Sequence, residues 1–203
     1  MARAASVVFL LCARVGLRWT ARTRVVGQLP SGGCLLASNH VNYIDGPLAM
    51  TLDWRRVRPI AKPNPDLIVR IGFALTRTIV TGREATDEAT AHLHRGGIIW
   101  MAPEGQINTD STLRRPRTGT ARIAAGAGVP IVPMALIGTR DIRLRAWRPW
   151  RRWPVTIVLG PATAVPSSAD PGVVMDEVMR WLAATLDRAY CPRPPPRVAP
   201  DGP

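Results

Sequence analysis

At about 100–200 residues per domain, a chain of 203 residues makes one domain and at most two. Its 46% apolar and 20% charged residues exclude global disorder, and three cysteines exclude a disulfide framework and fit a reducing compartment. A formal charge of +13, with Lys62 the only lysine among 27 cationic residues, asks for an acidic partner, whether phospholipid surface, nucleic acid, acidic protein or acidic substrate.

In chain order, the first pattern is an apolar run from Val7 to Ala13 between Arg3 and Arg14. It is far shorter than the roughly 20 residues that span a bilayer, and no small-x-small cleavage site follows it. Residues 1–19 are expected to form an amphipathic helix that either lies against a membrane or packs on the core. Short runs rich in Val and Ile then predict strands at Cys34–Ser38, Val57–Ala61, Thr78–Thr81, Ile98–Ala102, Val129–Ile137 and Val155–Leu159. Helical patterns over 46–54, 64–76, 85–95 and 117–127 alternate with them, the last closed by Gly126 and Gly128. A final helix is predicted from Pro171 to Ala189. Asp170 can cap it, Pro171 fits its first turn, and Val174, Val178, Trp181, Leu182 and Leu186 share one face. This alternation predicts a single α/β domain over residues 20–190, with a largely parallel central sheet flanked by helices. Six of the last thirteen residues are proline, so 191–203 are expected to be extended or disordered.

Chemistry concentrates after the first of those strands, in Ser38-Asn39-His40-Val41-Asn42-Tyr43-Ile44-Asp45-Gly46-Pro47. A histidine and an aspartate five apart point to different faces of a regular helix, about 140° past alignment. They can meet if the segment is a strand-to-helix turn, and Asp45-Gly46-Pro47 carries a turn or N-cap signature. A carboxylate accepting from one imidazole nitrogen would fix the tautomer and leave the other nitrogen as a base. The plainer alternative is that His40 satisfies a turn and Asp45 caps a helix. With 3 His in 203 residues, Asn-His-x4-Asp should arise by chance only about 0.003 times.

Three more segments follow in an order that resembles the glycerolipid acyltransferases, the family of the 1-acylglycerol-3-phosphate acyltransferases. Asn39-His40-x4-Asp45 is similar to that family's first block. Thr78-Ile79-Val80-Thr81-Gly82-Arg83 resembles the second, a short strand ending in arginine. Ile99-Trp100-Met101-Ala102-Pro103-Glu104-Gly105 resembles the third, whose core is Phe-Pro-Glu-Gly, and Val129-Pro130-Ile131-Val132-Pro133-Met134 the fourth. Lys62 and Gly119 also stand where the family places them, and the resemblance covers residues 20 to 165. There are departures. Ile107 replaces the third block's arginine, which the family associates with the acceptor's phosphate. Asn42 stands for a serine and Ala102 for a phenylalanine.

The resemblance implies a glycerol-3-phosphate acyltransferase-like fold and transfer of a fatty acyl group from a thioester, of coenzyme A or acyl carrier protein, to a lysophospholipid hydroxyl. His40 and Asp45 are the expected catalytic residues, base and orienting carboxylate. Asn39, Lys62, Arg83, Pro103, Glu104, Gly105 and Arg117 are the expected substrate contacts. Glu104 would hold the acceptor's hydroxyls, or else cap backbone. Arg83 would bind the acceptor's phosphate, or else pair with Glu84 or Asp87 on the surface. Arg114, Arg115 and Arg117 either supply the cation that Ile107 removes or form a solvated face. No metal or bound cofactor is expected: His92 and His94 lie two apart on a predicted helix and read as surface residues.

Between Arg140 and Trp153 stand six arginines, one acid, and Trp147, Trp150 and Trp153 at intervals of three. That composition suits a membrane interface, a hairpin whose tryptophans cover the core edge, or, least, a nucleic acid. The expectation is an enzyme held peripherally on the cytosolic face of a membrane, with lysophosphatidate as acceptor and no nucleic-acid partner. Two rivals stay open: the same chemistry on a lyso-aminolipid or glycolipid, and a non-catalytic lipid- or nucleic-acid-binding module.

Overall fold

The computed structural model describes residues 21–142 and 153–190. The helix expected over 1–19, the middle of the Arg140–Trp153 stretch and the proline-rich end lie outside the described residues.

Among the described residues nine strands are formed: β1 (Ala21–Val26), β2 (Cys34–Ser38), β3 (Val57–Ala61), β4 (Ile79–Val80), β5 (Ile98–Met101), β6 (Thr112–Leu113), β7 (Ile131–Ile137), β8 (Trp153–Leu159) and β9 (Ala189–Tyr190). Five α-helices accompany them among the same residues: α1 (Asp45–Met50), α2 (Leu67–Leu75), α3 (Ala85–His94), α4 (Gly119–Ala127) and α5 (Pro171–Leu186). Seven strands make one sheet in the order β1-β8-β7-β2-β5-β3-β4, while β6 and β9 pair separately. The five strands from β7 to β4 run parallel. β8 lies antiparallel to β7, and β1 parallel to β8. The expected α/β architecture, a mostly parallel sheet flanked by helices, is what the chain adopts.

Every residue of β2 is buried, as a strand covered on both faces requires. Its side chains alternate between two cores. Leu35 and Ala37 pack with Ile99 and with α3, α4 and α5 through Leu93, Ala124 and Met179. Cys34 and Leu36 pack on the other face with Leu48 and Met50 of α1 and with Val132, Ile157 and Trp100. Burial pushes the Cys34 thiol up to about 11.

Some boundaries moved for identifiable reasons. α1 ends at Met50 instead of continuing to 54, because Asp53 turns the chain by accepting from the backbone N–H groups of Arg55 and Arg56. α2 starts at Leu67, not 64, where the Asp66 carboxylate caps the Ile68 and Val69 amides. α5 starts at Pro171 under the Asp170 cap, as expected, but stops at Leu186: Asp187 turns left-handed (φ 50°) and leads the chain into β9. β1 was not anticipated. Its Arg-Thr-Arg alternation hides an edge strand, five of whose six residues are exposed.

His92 is not a surface residue. It is half-buried, its Nε2–H donates to the Arg56 carbonyl at 2.6 Å, and a Cβ on Gly97 would fall within 2.5 Å of its ring. Burial holds its pKa below the usual histidine range; the Arg58, Arg95 and Arg77 charges add to this, and the bond to Arg56 opposes it. The unfolded chain therefore takes up this proton first, so the His92 contribution is present at neutral pH and is lost as pH falls below about 6.5. Melting temperature should drop more between pH 7.5 and 5.5 in the wild type than in His92→Gln, and equal drops would remove His92 as a cause.

Candidate active site

Because β2, β3, β4 and β5 run parallel, their C-terminal ends gather at one end of the sheet, where α/β folds bind ligands. His40 follows β2, Lys62 follows β3, Thr81 and Arg83 follow β4, and Pro103, Glu104 and Gly105 follow β5. A cavity of about 420 Å³ opens there. Ile60, Ala85, Met101 and Ile123 form apolar parts of its wall, and His40, Lys62, Gln106 and Arg117 polar parts.

The turn between β2 and α1 brings His40 and Asp45 together. His40 Nδ1–H donates to Asp45 Oδ2 at 2.9 Å, and the same oxygen accepts from the amides of Val41 at 2.7 Å and Asn42 at 2.8 Å. Asp45 is the first residue of α1 but caps nothing in it; its carboxylate faces back toward the turn. An ionised carboxylate only accepts, so the proton of a neutral His40 sits on Nδ1 and the Nε2 lone pair remains for a substrate. Asp45 is fully buried and Oδ1 has no partner, so Oδ2 carries all of the carboxylate's hydrogen bonds, that of the imidazole among them. Trp100 stands edge-on to His40, with ring centres 5.5 Å apart and planes at 86°, and its own N–H donates to Ser38 Oγ at 2.8 Å.

Asn39 is a correction. Its side chain touches no cavity wall. It is 2% exposed, donates to the Leu136 carbonyl at 2.9 Å and accepts from the Leu136 amide at 2.8 Å, so its carboxamide stitches the end of β2 to β7. It positions the turn that carries His40, and its burial, away from the cavity lining, keeps it from a substrate. Asn42 does similar work, donating to the carbonyls of Thr139 and Ile142.

Glu104 is also buried, at 5% exposure. Oε2 accepts from the Arg114 amide at 2.9 Å and from the Asn108 side chain, and Oε1 has no partner. The carboxylate therefore organises the loop after β5 and does not itself line the cavity, whereas Pro103 and Gly105 on either side of it do. Gly105 has a left-handed φ of 70°, and a Cβ there would lie 2.7 Å from Arg117 Nε. Only glycine meets both conditions.

Of the three arginines downstream of Ile107, Arg117 alone lines the cavity, and its amide donates to the Pro103 carbonyl at 2.8 Å. Arg114 pairs with Asp110 at 2.9 Å, and Arg115 is exposed away from the cavity. Arg83 is exposed and, among the described residues, forms no ion pair with Glu84 or Asp87; its neighbours Thr81 and Gly82 reach the wall but it does not.

Two residues that the sequence left without a role belong to this site. Trp100 frames the histidine. Asn108 ties the loops together, its amide donating to the His40 carbonyl at 2.7 Å and its side chain to Glu104. Trp153, the one tryptophan of the basic stretch within the described residues, opens β8 and packs half-buried against the core.

A protein-family model described as Acyltransferase matches residues 22–137. The chain belongs to the acyltransferase family. It is 29% identical over 126 residues to the chloroplastic 1-acyl-sn-glycerol-3-phosphate acyltransferase BAT2 of Brassica napus, covering 57% of this chain and 36% of that protein. The chain thus spans about a third of the length of that relative. In fold it is similar to the crystal structure of PlsC, the 1-acyl-sn-glycerophosphate (LPA) acyltransferase from Thermotoga maritima. The TM-score is 0.68 at 17% identity, over 88% of this acyltransferase chain and 78% of that one. Among the described residues no helix is long and apolar enough to cross a membrane.

Proposed function

We propose that this member of the acyltransferase family moves a fatty acyl group from a thioester, of coenzyme A or acyl carrier protein, to the free hydroxyl of a lysophospholipid, with lysophosphatidate first among acceptors. The observation that carries the reading is the His40–Asp45 bond of 2.9 Å, which leaves one imidazole nitrogen unprotonated beside a cavity that also holds Lys62 and Arg117.

His40 Nε2 takes the proton of the acceptor hydroxyl as its oxygen attacks the thioester carbonyl carbon. The new C–O bond forms, the C–S bond breaks, and the thiolate leaves with the proton that the imidazolium returns. Asp45 supports the positive charge on the imidazole in between, without taking the proton. Neither a cysteine nor a serine nucleophile is required. Lys62 and Arg117 would hold the acceptor's phosphate. Arg117, entering from the loop before α4, supplies the cation that Ile107 lacks, and a guanidinium suits bidentate oxyanion binding.

The test is transfer of a labelled acyl group from acyl-CoA and from acyl carrier protein to a panel of lysolipids. Product on lysophosphatidate is expected, with Arg117→Ala raising the acceptor KM about tenfold or more and changing kcat less, as loss of a hydrogen bond to a charged group predicts. Product only on uncharged or zwitterionic acceptors, unaffected by Arg117→Ala, would keep the chemistry and discard the phosphate.

A further inference from the structure

α2 is an unusual surface helix. It buries none of its nine residues completely, and the side it turns to solvent carries large aliphatic side chains: Leu67 is 66% exposed, Ile68 80% and Ile71 51%. Val69, Phe73 and Leu75 are half-buried on the protein side, so the helix is apolar nearly all round. A helix that only covered a core would present polar residues outward. Here Arg70 is the one charged side chain on the exposed arc.

Its position is as telling as its composition. Lys62 lines the cavity, and only Pro63-Asn64-Pro65-Asp66 separate it from α2, two prolines keeping that link short and stiff. Asp66 locks the first turn by capping Ile68 and Val69. Since α2 follows the C-terminal end of β3, Leu67, Ile68 and Ile71 fall in its first turns, at the end of the sheet where the cavity opens. Tyr43, 68% exposed in the turn beside His40, stands at that same end.

We propose that the outward face of α2, with Leu67, Ile68 and Ile71 beside Arg70, docks the protein on an anionic lipid bilayer and turns the cavity mouth toward it. Three points select a bilayer over another occupant. Aliphatic side chains beside the Arg70 guanidinium match the acyl and phosphate layers of an anionic leaflet, and a chain of formal charge +13 is drawn to such a surface. Nine residues rise only about 14 Å, so the helix lies in the interface and does not span it. A docking face at the end of the sheet where the cavity opens brings the bilayer to the side from which an acceptor reaches His40. This last point rests on the acyl-transfer reading; the first two do not.

The test is sedimentation of the full chain with vesicles of phosphatidylcholine containing phosphatidylglycerol, against vesicles of phosphatidylcholine alone. The triple variant Leu67→Gln/Ile68→Gln/Ile71→Gln should weaken binding to the anionic vesicles at least about tenfold, as loss of three buried aliphatic contacts predicts. Arg70→Gln should weaken it about fivefold and reduce the preference for anionic vesicles. The triple variant should keep transfer to a water-soluble, short-chain acceptor. Unchanged vesicle binding in the triple variant overturns the proposal. If its self-association falls in that case, the face belongs to a second copy; if its melting temperature falls, the face belongs to contacts within the chain. Weakened binding without transfer to any acceptor would leave the docking face standing and remove the enzymatic reading. Transfer with unaltered vesicle binding would do the reverse.

Discussion

His40→Ala should lower kcat for acyl transfer by about 10²–10⁴, the usual contribution of a well-placed general base, and leave the melting temperature nearly unchanged. The two halves of that expectation have separate grounds. Activity falls because no other described group reaches the cavity as a neutral base: Lys62 and Arg117 are cations, and the Asp45 and Glu104 carboxylates do not line it. Stability holds because the imidazole sits at the cavity wall with its side chain 19% exposed, and its removal leaves Asp45 Oδ2 with two backbone donors. Measured together, rate and melting temperature separate a chemical role from a structural one. A variant that transfers acyl groups at the wild-type rate would remove His40 from the mechanism, whatever its geometry.

Asp45 should behave differently, and two substitutions at this position should part company. In Asp45→Asn the amide oxygen can take the place of Oδ2 and keep all three donors satisfied, while the negative charge disappears. The fold should persist, and kcat should fall about 10–100-fold, the value of a hydrogen bond to a charged partner. In Asp45→Ala the amides of Val41 and Asn42 lose their acceptor in a buried turn, at about 1–3 kcal/mol each. That variant should melt markedly lower as well as turn over slowly. Equal melting temperatures for the two variants would mean that water replaces the carboxylate, and wild-type activity in Asp45→Asn would show that its charge has no part in the reaction.

The strands were legible because their signal is strong and local. β2 and β3 were predicted to the residue: β2 is a short apolar run buried on both faces in a parallel sheet, and β3 keeps Val57 and Ile60 buried around Arg58. β1 was not legible, since an edge strand with alternating arginines reads like any polar segment. The meeting of His40 and Asp45 could be anticipated, because only a turn brings residues five apart face to face. The state of Asn39 could not be, for its partner Leu136 is 97 residues away and spacing says nothing of such a pair. Glu104 shows the same limit: its partners Asn108 and Arg114 are near in sequence, but only the folded loop shows that its carboxylate turns inward. Arg117 was named from the resemblance as a substrate contact, with Arg114 and Arg115 as further candidate cations, and the loop before α4 puts Arg117 alone of the three on the cavity wall.

The stitching of the turn after β2 to the segment around β7 has a consequence for how the protein is made. Asn39 is bonded to Leu136, and Asn42 to Thr139 and Ile142, spans of 97, 97 and 100 residues. Contacts this remote must meet the entropy of closing a long loop before they return anything. On a ribosome, the turn that carries His40 leaves the exit tunnel early, with its local bonds to Asp45 available, while its remote partners arrive only with Leu136, Thr139 and Ile142. A nascent chain released short of that point would carry the whole Asn-His-x4-Asp sequence and still lack the carbonyls that hold Asn39 and Asn42 on either side of His40.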